Sequence, residues 1–187
     1  MTLDRRRFIQ TTLVGSAAMV LGGCTSSAKA DSKDDNSGRK SKAKLNLSFQ
    51  EGIPPGDTLN EKFDFMEEHG VVGFEPHGKP MLERLQEMKD ALKGRDIKVS
   101  AICAGFDGFI LSTDPEIRKQ CRDTMEALII GAGELQSVGV IIVPAFNNQV
   151  PVMPHTQETR DFLCEQFDEM GTFAHQHGTT VIFEPLN

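Results

Sequence analysis

Beyond Lys44 the apolar residues fall into two alternating patterns: short continuous runs, and longer stretches in which they recur every three or four positions. Continuous runs read as buried strands, and the spaced stretches read as helices with one apolar face. Leu45 to Phe49 predicts a first strand; Leu59, Phe63 and Met66 then share a helical face until Gly70 ends it. Val71 to Glu75 predicts a second strand, followed by a helix carrying Met81, Leu85, Met88 and Leu92. Ile97 to Ala101, reaching towards Cys103, is the third strand. Asp114-Pro115-Glu116 supplies an N-cap acid, a proline at the first helical position and an early carboxylate, and Ile117, Cys121, Leu128 and Leu135 follow on one face. Val138 to Val143 is a fourth strand. Thr156 caps a long helix bearing Phe162, Leu163, Met170 and Phe173, Gly178 stops it, and Thr180 to Phe183 forms a fifth strand.

Strand then helix, repeated, calls for a parallel sheet with right-handed crossovers, because a short turn cannot join parallel strands. An open doubly wound sheet would carry a glycine-rich phosphate loop after its first strand, and Gln50-Glu51-Gly52-Ile53-Pro54-Pro55 is not one. Polar groups instead follow each strand: Glu51, then Glu75 and His77, then Asp107, then Asn147 and Asn148, and finally Glu184. Such an array is the rim expected at the carboxyl face of a parallel barrel. The closing stretch Val181-Ile182-Phe183-Glu184-Pro185-Leu186-Asn187 is an apolar strand that delivers one carboxylate. The expected fold is α/β, a partial TIM barrel of about five βα units out of eight.

Before Leu45 the pattern is different. Asp4-Arg5-Arg6-Arg7-Phe8-Ile9-Gln10 resembles a twin-arginine export signal, with Arg5 and Arg6 as the pair, and the apolar stretch Leu13 to Leu21 is too short to span a bilayer. Leu21-Gly22-Gly23-Cys24 resembles a lipobox with Cys24 as the lipidated thiol. Residues 25–44 are Ser, Lys, Asp and Gly with almost no apolar side chains, so they cannot repay the entropy of ordering and read as a disordered tether. Three segments result: a signal peptide over 1–24, a tether over 25–44 and a barrel portion over 45–187. The expected location is a lipid-anchored, membrane-held site on the periplasmic or outer side.

A formal net charge of −7 leaves no basic stripe to neutralise phosphates, which argues against a nucleic-acid partner. Trp and Tyr are absent, so polar recognition in any pocket falls to carboxylates, amides and His. The cysteines show no C-x-x-C pairing; Cys121 and Cys164 read as small buried side chains on helix faces, and Cys103 stands near a strand end where it could line a pocket.

Gly73-Phe74-Glu75-Pro76, the long third loop, Val140-Ile141-Ile142-Val143 and above all Phe183-Glu184-Pro185-Leu186-Asn187 resemble the sugar phosphate isomerase/epimerase family, with its xylose isomerase-like TIM barrel, and within it hydroxypyruvate isomerase-like or ketose 3-epimerase-like members. The resemblance implies a divalent metal (Mn, Mg or Zn), with Glu184 as one ligand and as proton-transfer base. The family's other ligands, an Asp, a His and a second Glu, belong to strands six to eight, so the chain is expected to be the front part of a longer barrel. The implied reaction is isomerisation or epimerisation of a sugar or keto-sugar by proton abstraction next to a carbonyl. Glu75, His77 and Asn147 are candidate substrate contacts, and a homo-oligomer is compatible with the full-length barrel. Two other functions use the same scaffold: an endonuclease IV-like metal phosphoesterase, and a non-catalytic carbohydrate-binding lipoprotein. His69, His175 and His177 are expected as helix-end cations, Asp107 and Gly108 as turn formers, and Phe106 and Phe109 as side chains able to close over a ligand.

Overall fold

The computed structural model describes residues 45–103 and 105–185. The export arginines, Cys24 and the tether lie outside these residues, as do Leu186 and Asn187. The described elements are β1 (Leu47–Gln50), α1 (Leu59–Glu68), β2 (Val71–Glu75), α2 (Gly78–Glu83), α3 (Leu85–Leu92), β3 (Lys98–Val99), α4 (Pro115–Glu134), β4 (Val140–Ile142), α5 (Gln157–Gln176) and β5 (Val181–Phe183). β1, β2 and β3 pair in parallel, and so do β4 and β5. A parallel bridge between Ile102 and Val140 links the two groups, through Ile102 N to Gly139 O (2.8 Å) and Ile141 N to Ile102 O (3.0 Å). The strands therefore follow one another in chain order as a single parallel arc, the expected part of a barrel.

Three helices begin at side-chain caps, of which Asp114 and Thr156 are legible in the sequence and Thr58 is shown by the structure. Thr58 accepts from Glu61 N while the Glu61 carboxylate accepts from the backbone N–H of Asp57 and Thr58, a complete capping box. Asp114 accepts from Glu116 N, and Thr156 accepts from Thr159 N. The helices pack on one face of the arc. Phe63 of α1 meets Phe74 of β2 edge-on at 4.9 Å, and the core continues through Met88, Met125, Leu128, Ile129, Ile142 and Ala174, all buried.

The other, concave face carries small polar side chains. Ser48 of β1 and Ser100 beyond β3 bring their hydroxyls to 2.6 Å across Gly73 of β2. Gly73 permits this approach, since a Cβ there would stand 2.6 Å from Ser48 Cβ. The variant Gly73→Ala is expected to lose about 1–3 kcal/mol of stability through overpacking, measured by denaturant unfolding, and Gly73→Ala combined with Ser48→Gly should regain most of it.

Four expectations are corrected. The helix expected through Met81 and Leu92 is two helices, α2 and α3, separated at Arg84. Arg84 binds Glu51 at 2.5 Å and Glu87 at 2.8 Å, so it ties the loop after β1 to the start of α3. The Glu51 side chain is only 13% exposed, so Arg84→Ala would leave a largely desolvated carboxylate unpaired. The expected loss is about 1–3 kcal/mol by chemical denaturation, with part recovered in Arg84→Ala/Glu51→Gln. Cys164, read as buried, is exposed, whereas Cys121 is buried as expected. Phe109 is 4% exposed and belongs to the core, so it is not a side chain free to close over a ligand.

The last correction concerns the third strand, whose regular part covers only Lys98–Val99. Phe74 pairs with Val99, and His77 bridges to Cys103, so four steps on this strand match three on β2. One extra residue flips the alternation of side chains. Ile102 consequently enters the core, fully buried, and Cys103 faces the concave side.

Candidate active site at the carboxyl rim

In a parallel barrel the carboxyl ends of all strands open on one face, where loop residues from several strands can converge. On this arc that rim is made by Gln50, Glu75, His77, Cys103 and Glu184. Gln50 and Glu75 are register partners on β1 and β2, and Gln50 Nε2 donates to Glu75 Oε1 at 2.8 Å. The same amide lies 3.8 Å from Cys103 Sγ. Burial pushes the Cys103 thiol above its ordinary pKa; the Glu75 carboxylate, which accepts its S–H, and the charge of Glu184 push it further up. A neutral thiol among carboxylates behaves as a weak donor.

Glu184 follows β5 directly, and its backbone N–H donates to Ile142 O at 3.0 Å, extending the β4–β5 ladder by one residue. Phe183 packs edge-on against Phe167 of α5 at 5.3 Å, so alternation puts the Glu184 side chain on the opposite, concave side. Its electrostatic effect on Cys103 is consistent with that direction. Glu184 and Glu75, proposed separately from the sequence, both raise the pKa of the same Cys103 thiol.

The remaining candidates divide. His77 is exposed and is the N-cap of α2, with no side-chain capping bond; its main chain is fixed by the bridge to Cys103, by Cys103 N to Pro76 O (2.9 Å) and by Gly78 N to Cys103 O (3.0 Å). Asn147 lies apart from Glu75 and Cys103, in an open cleft of about 370 Å³ lined also by Phe146, Gln149, His155, Phe183 and Pro185. That cleft is on the helix side of the β5 end. Two of the expected rim acids are committed elsewhere: Glu51 to Arg84, and Asp107 to Lys79 at 2.8 Å. His69 and His177 cap the ends of α1 and α5, as expected of helix-end residues; His69 Nδ1 lies 2.8 Å from Phe65 O. Sequence reasoning missed Gln50, although its place one step past the apolar run, level with Glu75, was the available signal.

Among the described residues no group of three or more His, Cys, Asp or Glu side chains is placed to hold a metal ion. Glu184 is a fit for one ligand of such a site; this arc does not make the site by itself.

Residues 63–187 match the family model described as a xylose isomerase-like TIM barrel. The chain is 28% identical over 137 residues to the 3-dehydro-D-guloside 4-epimerase of Escherichia coli (strain K12), which covers 70% of this chain and 52% of that protein. It therefore spans about half the length of the curated relative it matches. The crystal structure of an apo 3-keto-D-glucoside 4-epimerase from E. coli superposes with a TM-score of 0.65 at 26% identity, over 77% of this chain and 57% of the other. The IolI protein, solved with a zinc atom, shares the fold with a TM-score of 0.61 at 18% identity, over 76% and 52% of the two chains. The chain belongs to the xylose isomerase-like TIM barrel family, and its arc of five parallel strands is part of that barrel.

Proposed function

We propose that this chain contributes the β1–β5 half of a sugar epimerase or isomerase that moves a proton on the carbon next to a ketone. The observation that carries the reading is Glu184: an acid delivered by an apolar strand to the concave rim, with its main chain pinned to Ile142 O. The relatives are named as 4-epimerases of a 3-keto-D-glucoside and a 3-dehydro-D-guloside, and a ketone at carbon 3 acidifies the hydrogen on carbon 4. For this chain the substrate class is accordingly a keto-sugar or its glycoside.

Glu184 acts as the base. It takes the proton from the carbon alpha to the carbonyl, the carbon's electron pair passes into the enediolate, and a second acid, supplied from outside the described residues, gives a proton to the opposite face to complete an epimerisation. Return to the neighbouring carbon would complete an isomerisation instead. Glu75 holds a substrate hydroxyl away from the reacting carbon. His77 and Asn147 are offered as further contacts, His77 from the mouth of the arc and Asn147 from the β4–α5 loop. A divalent cation is part of the proposal, with Glu184 as one of several ligands and the others outside the described residues.

We further propose that Arg5 and Arg6 direct twin-arginine export and that Cys24 carries a lipid anchor, so that the enzyme meets carbohydrate outside the cytoplasm. Among the described residues no helix is long and apolar enough to cross a membrane.

The test is to incubate the complete barrel, this chain together with the strands that close it, with a 3-keto-D-glucoside in D₂O, after dialysis against chelator and again with Mn²⁺, Mg²⁺ or Zn²⁺ restored. Deuterium entering the carbon beside the ketone, above the rate without protein, supports the reading. Absence of exchange under every metal condition sinks it.

A further inference from the structure

Gln50 and Cys103 have no role in the chemistry above, yet the fold places both against Glu75. Three observations converge on them. The register of β1 and β2 sets Gln50 level with Glu75, and its amide donates to Oε1 at 2.8 Å. The extra residue between Val99 and Cys103 turns the thiol, which simple alternation from Val99 would leave with Val99 on the core side, towards that same pair. Cys103 is half-buried where Cys121 is fully buried and Cys164 exposed. A carboxylate held by an amide on one side and a thiol on the other loses rotational freedom, so it meets a ligand without a further ordering cost.

We propose that Gln50, Glu75 and Cys103 form a hydroxyl-binding subsite for the part of the sugar remote from the reacting carbonyl, with Glu75 as the acceptor and Gln50 and Cys103 as positioning residues. This rests on the keto-sugar reading above. A fixed carboxylate accepts hydrogen bonds from hydroxyls and offers nothing to an apolar group, so the subsite selects a polyhydroxylated substituent. Gln50 is the sharper positioning residue, because it is exposed and touches both other members, so its removal should alter Glu75 without disturbing the core.

Peptide-resolved alkylation by iodoacetamide on the whole chain tests this, with exposed Cys164 as internal reference. In Glu75→Gln the stronger of the two charges that hold the thiol's pKa up is gone, and Cys103 should react about threefold or more faster at fixed pH, while Cys164 keeps its rate. Adding the 3-keto-D-glucoside should slow Cys103 in the native chain and in Glu184→Gln, weakly in Gln50→Ala and not in Glu75→Gln, with melting temperatures unchanged. Protection that persists undiminished in Glu75→Gln or Gln50→Ala overturns the subsite. No protection together with deuterium exchange at the sugar overturns the subsite and leaves the enzymatic reading standing; no protection and no exchange removes both.

Discussion

Glu184→Gln is expected to lower deuterium exchange beside the ketone by about 100- to 10,000-fold, the usual worth of a positioned general base. Glutamine keeps the size of the side chain and leaves intact the Glu184 N–H bond to Ile142 O, which belongs to the main chain. The side chain is exposed and makes no ion pair with a described residue, so the melting temperature should hardly change. A second readout is independent of turnover. The Glu184 charge helps to raise the pKa of the Cys103 thiol, so the variant should alkylate somewhat faster at Cys103, by less than Glu75→Gln because Glu75 is the stronger influence. Exchange that survives Glu184→Gln would assign the base elsewhere, even if the family and fold are unaffected.

A large loss of stability is expected at Gly133, near the end of α4. A Cβ at this position would lie 2.3 Å from the carbonyl oxygen of His177, the C-cap of α5. The neighbouring main chain has little room to retreat. Thr179 Oγ1 donates to Ser137 O at 3.0 Å, Val140 N donates to Thr180 O at 2.8 Å, and Ser137 N donates to Ala132 O at 2.9 Å. Alanine gains about 1 kcal/mol over glycine in helix propensity, but a clash with pinned backbone costs more, and the net expectation is a loss of about 2–4 kcal/mol. Gly171 of α5 is the control: a Cβ there meets nothing within 4 Å, so Gly171→Ala should stabilise. Thermal or denaturant melts of the two variants should therefore move in opposite directions. Equal shifts would mean that the α4–α5 contact does not hold the glycine in place.

Much of the site was legible because its signals are local. Glu184 follows an apolar run, and Glu75 ends another, so strand periodicity alone places both acids at strand ends. The split of the second crossover at Arg84 was not legible, because Met81, Leu85, Met88 and Leu92 keep helical spacing across the break. What ends α2 there goes with a contact to Glu51, far away in the chain. Glu51 and Asp107 looked equivalent to Glu75 as acids after strands. Their basic partners, Arg84 and Lys79, become neighbours only when the crossover folds back.

By itself the sequence determined the order of strands and crossovers, the caps at Asp114 and Thr156, the parallel α/β class and the acid at the end of β5. Each of these depends on residues within a turn or two of one another, and their pattern is written in the spacing of apolar side chains. Tertiary structure decided which way Cys103 points, that Gln50 holds Glu75, that Ser48 meets Ser100 over Gly73, and that Cys164 is exposed. These depend on register between strands distant in the chain, where one inserted residue exchanges the core face for the concave face.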